Sequence, residues 1–295
     1  MKVNRFNTGF IPASQLVLRP DNSVYHLGVK GSDIADTVLV VGDPDRVPLV
    51  SSRFDFIDRK ISGREFVIHT GVYKSKPVTV LSTGIGVDNI DIVINELDAA
   101  VNVDPITRQV NDQLRTLNII RLGTCGALRE DVPIGTVVAS KFAVGYDGVP
   151  WHYGGEMTAR EAEVAARFES ATNWPDLFAK AYCAQCDDEL MQRIGHDFEH
   201  GITFTANGFY GPQNRSVRLP LRDEGMMDKL RTIECHGYRA TNFEMECAGI
   251  YALASMLGHK ALTCCVVLAN RYAEQFTIDP EKEVNRLIDA VLERL

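Results

Sequence analysis

Thr37-Val38-Leu39-Val40-Val41 runs straight into Gly42-Asp43-Pro44-Asp45-Arg46. A short, continuous apolar run closed by glycine and proline reads as a strand buried on both faces, because a strand with one wet face alternates. The pattern recurs. Residues 78–82 end at Thr83-Gly84-Ile85-Gly86, residues 118–122 end at Gly123, and 136–140, 202–205 and 261–268 have the same look. Helical patterns lie between these runs. Residues 89–101 place Ile90, Val93, Ile94, Leu97 and Val101 on one face, and 176–194 and 244–257 behave alike. The last pattern, 279–295, opens Asp279-Pro280-Glu281, an N-cap with proline at the first helical position. Its stripe is Val284, Leu287, Ile288, Val291, Leu292 and Leu295. Buried strands alternating with helices predict an α/β fold around a largely parallel sheet. Residues 1–23, with Pro12, Pro20 and a polar turn at 21–23, read as an irregular N-terminal extension. Residues 24–295 read as a single domain, with no repeat and no low-complexity linker.

Composition narrows the partners. The net charge is −8, which argues against a general nucleic-acid binder with its basic footprint. It leaves room for one small anion, since a few local arginines can hold it. The longest apolar runs, 38–41 and 264–269, are too short to span a bilayer, and MKVNRFNTGFIPAS lacks the apolar core of an export signal. Seven cysteines, an odd number, fit free thiols in a reducing, cytoplasmic setting.

Several motifs come to little. No phosphate-loop lysine motif, no G-x-G-x-x-G and no G-x-S-x-G elbow occurs, which weakens ATPase, dinucleotide and serine-hydrolase readings. Cys183-x2-Cys186 and His196-x3-His200 have the ingredients of a zinc site. Only nine residues separate the pairs, and the cysteines fall in a predicted helix, so helix-face residues are the better reading. Cys125 stands where a nucleophile could, but no motif ties a histidine to it; a small residue admitting a ligand is the better reading.

The arginines say more. Ligands of open α/β sheets bind beyond the carboxyl ends of strands. Asp43 can cap the next helix, with Arg46 in its first turn, where a cation opposes the helix dipole. Helix-end amides plus Arg46 would make an anion site; a solvated surface arginine is the equal alternative. Arg121 lies inside a buried strand, where a lone guanidinium is costly unless paired or bound to an anion. Thr124 offers a hydroxyl nearby, and Gly123 and Gly126 would admit a ligand to the backbone. Glu246, near a helix start, is either a simple N-terminal charge or an acceptor for two sugar hydroxyls. In 209–215, an aromatic face can stack on a base while Gln213 matches a planar imide edge with one donor and one acceptor.

Taken together, YHLGV (25–29), GDPDRV (42–47), GREF (63–66), STGIG (82–86), IIRLGTCGA (119–127), FYGPQNR (209–215), NFEMEC (242–247) and VVLANR (266–271) resemble the nucleoside phosphorylase-I family, most closely its uridine phosphorylase branch. The resemblance runs from about Val24 to the C-terminus. It implies a three-layer α/β/α fold whose mixed, largely parallel sheet is partly barrel-like. It also implies a pentosyltransferase that converts uridine and phosphate to uracil and α-ribose 1-phosphate, in pyrimidine salvage or catabolism. 2′-Deoxyuridine and thymidine are further candidate substrates.

Carried over by motif, Gly42, Arg46, Arg121 and Thr124 would bind phosphate, with Arg64 reaching in from a neighbouring subunit. His26, also from the neighbour, would touch the ribose 5′-hydroxyl. Met245 and Glu246 would hold the ribose, Phe209 would pack on the nucleoside, and Gln213 and Arg215 would read the uracil edge. Arg271 matches a position near the base pocket. The catalytic set is then Arg121, Thr124, Gln213, Arg215 and Glu246. Inorganic phosphate is the co-substrate, with no organic cofactor. Glu65 matches the position that coordinates a structural monovalent cation, such as potassium, between subunits. The implied partner is a second copy, as a dimer or a hexamer of dimers, with no nucleic acid polymer and no membrane. The purine branch of the family is the alternative. It shares the phosphate arginines but carries an acid after the late strand, where this chain reads Leu268-Ala269-Asn270-Arg271. A non-catalytic base-binding protein would have lost the arginines. The chain departs from the best-known members at 86–89 and in its N-terminal extension.

Overall fold

The run that begins at Thr37 is strand β1 (Thr37–Val41), buried at every position after the first. The structure is a computed structural model that describes residues 1–3, 6 and 9–295. After β1 come α1 (Arg46–Ser51), β2 (Phe56–Gly63), β3 (Phe66–Tyr73), β4 (Lys76–Ser82), α2 (Val87–Asn102), β5 (Val103–Asp104), β6 (Gln109–Val110), β7 (Asn118–Ala127) and β8 (Val137–Gly145). The second half holds α3 (Ala159–Thr172), β9 (Tyr182–Gln185), α4 (Asp188–Leu190), β10 (Glu199–Thr205), α5 (Met226–Arg231), β11 (Glu234–Cys235) and β12 (Tyr238–Glu244). It ends with α6 (Cys247–Leu257), β13 (Lys260–Asn270), β14 (Gln275–Phe276) and α7 (Pro280–Leu292).

Twelve strands form one sheet along the path β11-β12-β10-β8-β13-β7-β1-β4-β3-β2, with β9 on β8 and β14 on β13. The central ladders β4-β1-β7-β13 are parallel, and so are β8-β10-β12. The two parallel blocks meet antiparallel at β13 and β8. β12 also pairs with the far end of β7 at Phe243↔Gly126 and Asn242↔Ala127. That contact closes β7, β13, β8, β10 and β12 into a ring, so half of the sheet is a small barrel and half is open. Barrel closure brings the carboxyl ends of β7 and β12 side by side, where Arg121 and Glu244 can meet.

The helices cover this sheet for the reasons their stripes predict. α7 buries Val284, Leu287, Ile288, Val291 and Leu292, and Asp279 caps it by accepting the Lys282 N–H at 3.0 Å. Full burial of each such side chain contributes about 1.5–3 kcal/mol. Arg53, just beyond α1, ties that end of the helix to α7 through Asp289 at 2.8 Å. α2 packs on α6, which is buried at almost every position because it lies against the barrel strands. Residues of the N-terminal lead-in rest on this body: the Met1 amino group donates to Glu161 (2.9 Å) and Ser255 (3.2 Å), and Leu18 bridges Val24. Among the described residues, no helix is long and apolar enough to cross a membrane.

Several expectations about elements need correcting. Residues 176–194 are no single helix. Tyr182–Gln185 is strand β9, buried at its first three positions and paired to β8 beyond the end of the β13 ladder, because tertiary pairing outweighs local helical spacing. Only 188–195 is helical there, ending in a π-turn. Gly123 does not end β7, which continues to Ala127 between β13 and β12. α6 starts at Cys247, later than the spacing suggested, because Asn242–Glu244 belongs to β12. The hairpin β2–β3 and helix α3 were not foreseen. α3 does carry a capping box: Thr158 accepts from the Glu161 N–H (3.3 Å), and Glu161 accepts from the Thr158 N–H (2.8 Å). Thr158→Ala removes one half of it and should lower the unfolding free energy by about 1 kcal/mol, read as a shift in the urea midpoint.

Candidate active site

A cavity of about 730 Å³ opens at the carboxyl ends of β1 and β7. Gly42, Arg46, Arg121, Thr124, Phe209, Gln213, Arg215, Met245, Glu246 and Arg271 all line it. These residues span more than two hundred positions of sequence, and only the barrel closure and the parallel ladder bring them together.

One end of the cavity is built for an anion. Arg46 opens α1, as expected, but Asp43 does not cap the helix: the N-cap is Asp45, without a side-chain cap bond, and the Asp43 carboxylate accepts the Asp45 N–H at 3.0 Å in the preceding turn. Among the described residues no carboxylate pairs with Arg46. Burial lowers its guanidinium from the ordinary range, and the adjacent Arg121 charge lowers it further. A half-buried cation beside another cation is stabilised by an anion placed between them. Arg121 is 5% exposed and sits between two carboxylates. It pairs with Glu246 through Nη2 and lies 3.6 Å from Glu244 through Nη1, which is also 3.1 Å from Cys265 Sγ. Burial opposes its charge, but Glu246, Cys265 and Glu244 outweigh that and raise its proton affinity. Its Nε is buried without a partner.

Glu244 is the residue that sequence reasoning missed. It accepts from Thr205 Oγ1 (2.5 Å) and from the N–H groups of Glu246 and Cys247 (2.8 Å each). It therefore caps α6 and faces Arg121 at once. Burial raises its carboxyl above the ordinary range, with the Arg121 charge pulling the other way. The repeated acid in Glu244-Met245-Glu246, beside a buried arginine, was the available signal. Glu246 accepts the Gly86 N–H at 2.7 Å with its other oxygen, so the 83–86 turn is held to the helix start.

Gly123 has a different role from the one expected. A Cβ there would fall on the Arg121 guanidinium and lie 2.7 Å from Cys265 Sγ. The glycine makes room for the protein's own arginine, and Gly123 does not line the cavity.

The other end suits a flat polar ring. Gln213 is buried, and its Oε1 accepts from Arg215 Nη1, which leaves Nε2 to donate elsewhere. Arg215 also donates to Phe209 O (2.8 Å) and lies over the Phe209 ring at 4.0 Å. Burial and the Arg271 charge pull the Arg215 guanidinium down to about 10, so it stays protonated at neutral pH but gains from negative charge set before it. Arg271 props this end by donating to Gln213 O (2.9 Å) and Asn214 O (3.2 Å). Asn270 is wholly engaged: Nδ2 donates to Arg129 O and Val132 O, and Oδ1 accepts from Tyr272 and Ala273.

His26, Arg64 and Glu65 do not line this cavity. His26 contacts Glu96 (Nδ1 to Oε1, 2.5 Å). Arg64 is exposed at the tip of the β2–β3 hairpin, in the left-handed region with φ 56°. Cys125 does line it, but burial and its contact with Cys265 raise its thiol well above the ordinary range, the reverse of what a nucleophile needs. Cys183 is a core residue of β9, and His200 bonds Gly195 O at 2.7 Å. Among the described residues no group of three or more His, Cys, Asp or Glu side chains could hold a metal ion.

A family model described as the phosphorylase superfamily matches residues 36–295, and the chain belongs to that family. Its class is that of the pentosyltransferases acting on nucleosides, whose sheet and barrel it shares. A uridine phosphorylase of Thermococcus kodakarensis is 33% identical, over 88% of this chain and 82% of its own length. A purine nucleoside phosphorylase of Colwellia psychrerythraea is 28% identical, over 88% of this chain and 92% of its own. Among solved structures, a Trypanosoma brucei nucleoside phosphorylase described as showing uridine phosphorylase activity superposes with a TM-score of 0.87 at 30% identity, covering 95% of this chain and 99% of its own.

Gly123→Ala should displace the Arg121 guanidinium while the sheet stays intact. The expected result is a weakened response to phosphate with a far-UV circular dichroism spectrum unchanged from the parent. Unaltered phosphate dependence would contradict this role for Gly123.

Proposed function

We propose that the chain catalyses the phosphorolysis of uridine to uracil and α-ribose 1-phosphate, with 2′-deoxyuridine and thymidine as further substrates. The observation that carries the choice of base is the lining of the cavity's far end. There an amide oriented by Arg215 offers donors to an imide edge. Among the described residues, those of the 209–215 turn, Phe243 and 268–276 that line the cavity include no carboxylic acid, and Glu274 lies outside the lining. A purine leaving group is helped by an acid that protonates its ring nitrogen, and the late strand β13 ends on Asn270, whose amide is spent on the fold.

Inorganic phosphate is the co-substrate, held by Arg46, Arg121, Thr124 and the backbone at Gly42. As phosphate takes up the Arg121 charge, one Glu246 oxygen becomes free for the ribose 2′- and 3′-hydroxyls, with Met245 beside the sugar. A phosphate oxygen forms the new bond to C1′. The glycosidic bond breaks, and its electron pair leaves with the base. Gln213 and Arg215 stabilise that developing negative charge, and donors fixed in advance act where charge appears only in the transition state. Holding phosphate against the sugar supplies much of the remaining acceleration. No organic cofactor is needed.

The site is completed by a second copy of the chain, which supplies His26 and Arg64, as a dimer or a hexamer of dimers. Their position outside this chain's own cavity supports that arrangement. A structural potassium ion would sit at Glu65, which is half-buried and has a carboxylate with no hydrogen bond or ion pair among the described residues. Seven free thiols fit a cytoplasmic setting, and the chemistry fits pyrimidine salvage or catabolism.

Uridine, 2′-deoxyuridine, thymidine, inosine and adenosine, each assayed with and without phosphate, test the reading. Uracil should leave uridine only when phosphate is present; phosphate-independent release, or turnover of purines alone, overturns it. Gln213→Ala should lower kcat on uridine by about 10²–10³-fold, the cost of one transition-state donor. Arg64→Ala and Gln213→Ala, each strongly impaired alone, should regain activity when unfolded together and refolded as a mixture. No recovery would place Arg64 outside a shared site.

A further inference from the structure

The turn Gly211–Gln213, with Asn214 after it, is a thin wall between two cavities. Gln213 faces the active-site cavity, while Gly211, Pro212 and Asn214 line a second one of about 530 Å³. A wall with space on both sides lacks the packing that holds most buried segments, so its position depends on hydrogen bonds to its carbonyls. Arg271 supplies two of them, from a half-buried side chain. The third comes from Tyr146, whose hydroxyl donates to Pro212 O at 2.8 Å.

Tyr146 is the more rigid support. It follows directly on the last residue of β8, so its backbone is fixed by the barrel. Its ring stacks on Phe168 (5.7 Å between centroids, 8° between planes) and meets Trp174 at 5.1 Å. Trp174 is itself anchored by Nε1 to Ala179 O at 3.0 Å. Burial, with the charges of Glu244 and Asp147, keeps the phenol protonated, so it remains a donor. The hydroxyl thus has one direction and one partner.

We propose that Tyr146 is a positioning residue for base selection: by holding the Pro212 carbonyl it sets the Gln213 amide and, through it, Arg215 against the base edge. The inference rests on the reading of Gln213 and Arg215 as the base-recognising pair. Tyr146 itself touches no substrate. Phosphate is held at the opposite end of the cavity, on β1, α1 and β7, and should not sense the change.

Tyr146→Phe removes the hydroxyl and keeps the aromatic stack, so the variant should fold with a thermal midpoint close to the parent's. Losing one neutral hydrogen bond should raise KM for uridine about fivefold, with KM for phosphate unchanged. In a Gln213→Ala background the same substitution should add little, because the group it positions is gone. Two results overturn the proposal: parental KM for uridine in Tyr146→Phe, or an equal rise in both KM values, which would mark general loosening. Gln213→Ala measured alone separates the two claims. If it leaves uridine turnover intact, the reading of the base pair fails. If it abolishes turnover while Tyr146→Phe behaves as the parent, that reading stands and the role of Tyr146 falls.

Discussion

The buried guanidinium of Arg121 is the constraint around which the rest is arranged. A charge with 5% exposure cannot stand alone in a sheet, and the fold answers with two carboxylates, Glu246 in contact and Glu244 at 3.6 Å. Both come from the end of β12 and the start of α6. They reach Arg121 because β12 closes the barrel on β7 at Phe243↔Gly126. Glu244 is held in turn by the first amides of α6, so the helix, the strand pair and the site share one network. Gly123 belongs to it as well, since any side chain there would occupy the guanidinium's place.

This network differs from an inert buried ion pair. Arg46 adds a second, half-buried cation that no carboxylate pairs with among the described residues. One guanidinium is therefore left to receive an anion, within a chain whose net charge is −8. The total governs long-range attraction to polymers and membranes; two guanidiniums at a strand end govern one phosphate. The base end follows another logic. There the groups are neutral or singly charged, and their orientation comes from one another: Arg215 on Gln213, Arg271 on the backbone of 213–214, Tyr146 on Pro212.

Much of this was legible beforehand, for identifiable reasons. β1, β4, β10 and β13 announced themselves because their buried stretches (37–41, 78–82, 202–205 and 261–268) carry no charged residue to blur them. α2 and α7 announced themselves through one apolar stripe each. Arg46, Arg121, Gln213, Arg215 and Glu246 stood out as charges or amides beside glycine turns. The hairpin β2–β3 did not, because its outer strand is mostly exposed and reads as polar loop. β9 was mistaken for helix because four residues on a sheet edge carry too little pattern against their helical surroundings. Glu244 escaped because capping a helix and balancing an arginine are relations between segments.

By itself, then, the sequence determined which segments are buried, which are helical and which polar groups are available, since these depend on local composition and period. Tertiary structure alone decided that the two cavity ends face each other, that Gly123 serves Arg121, and that the Gln213 turn hangs between two cavities with Tyr146 behind it. Those facts depend on strand order and barrel closure. Closure joins residues more than a hundred positions apart, and no local pattern carries that information.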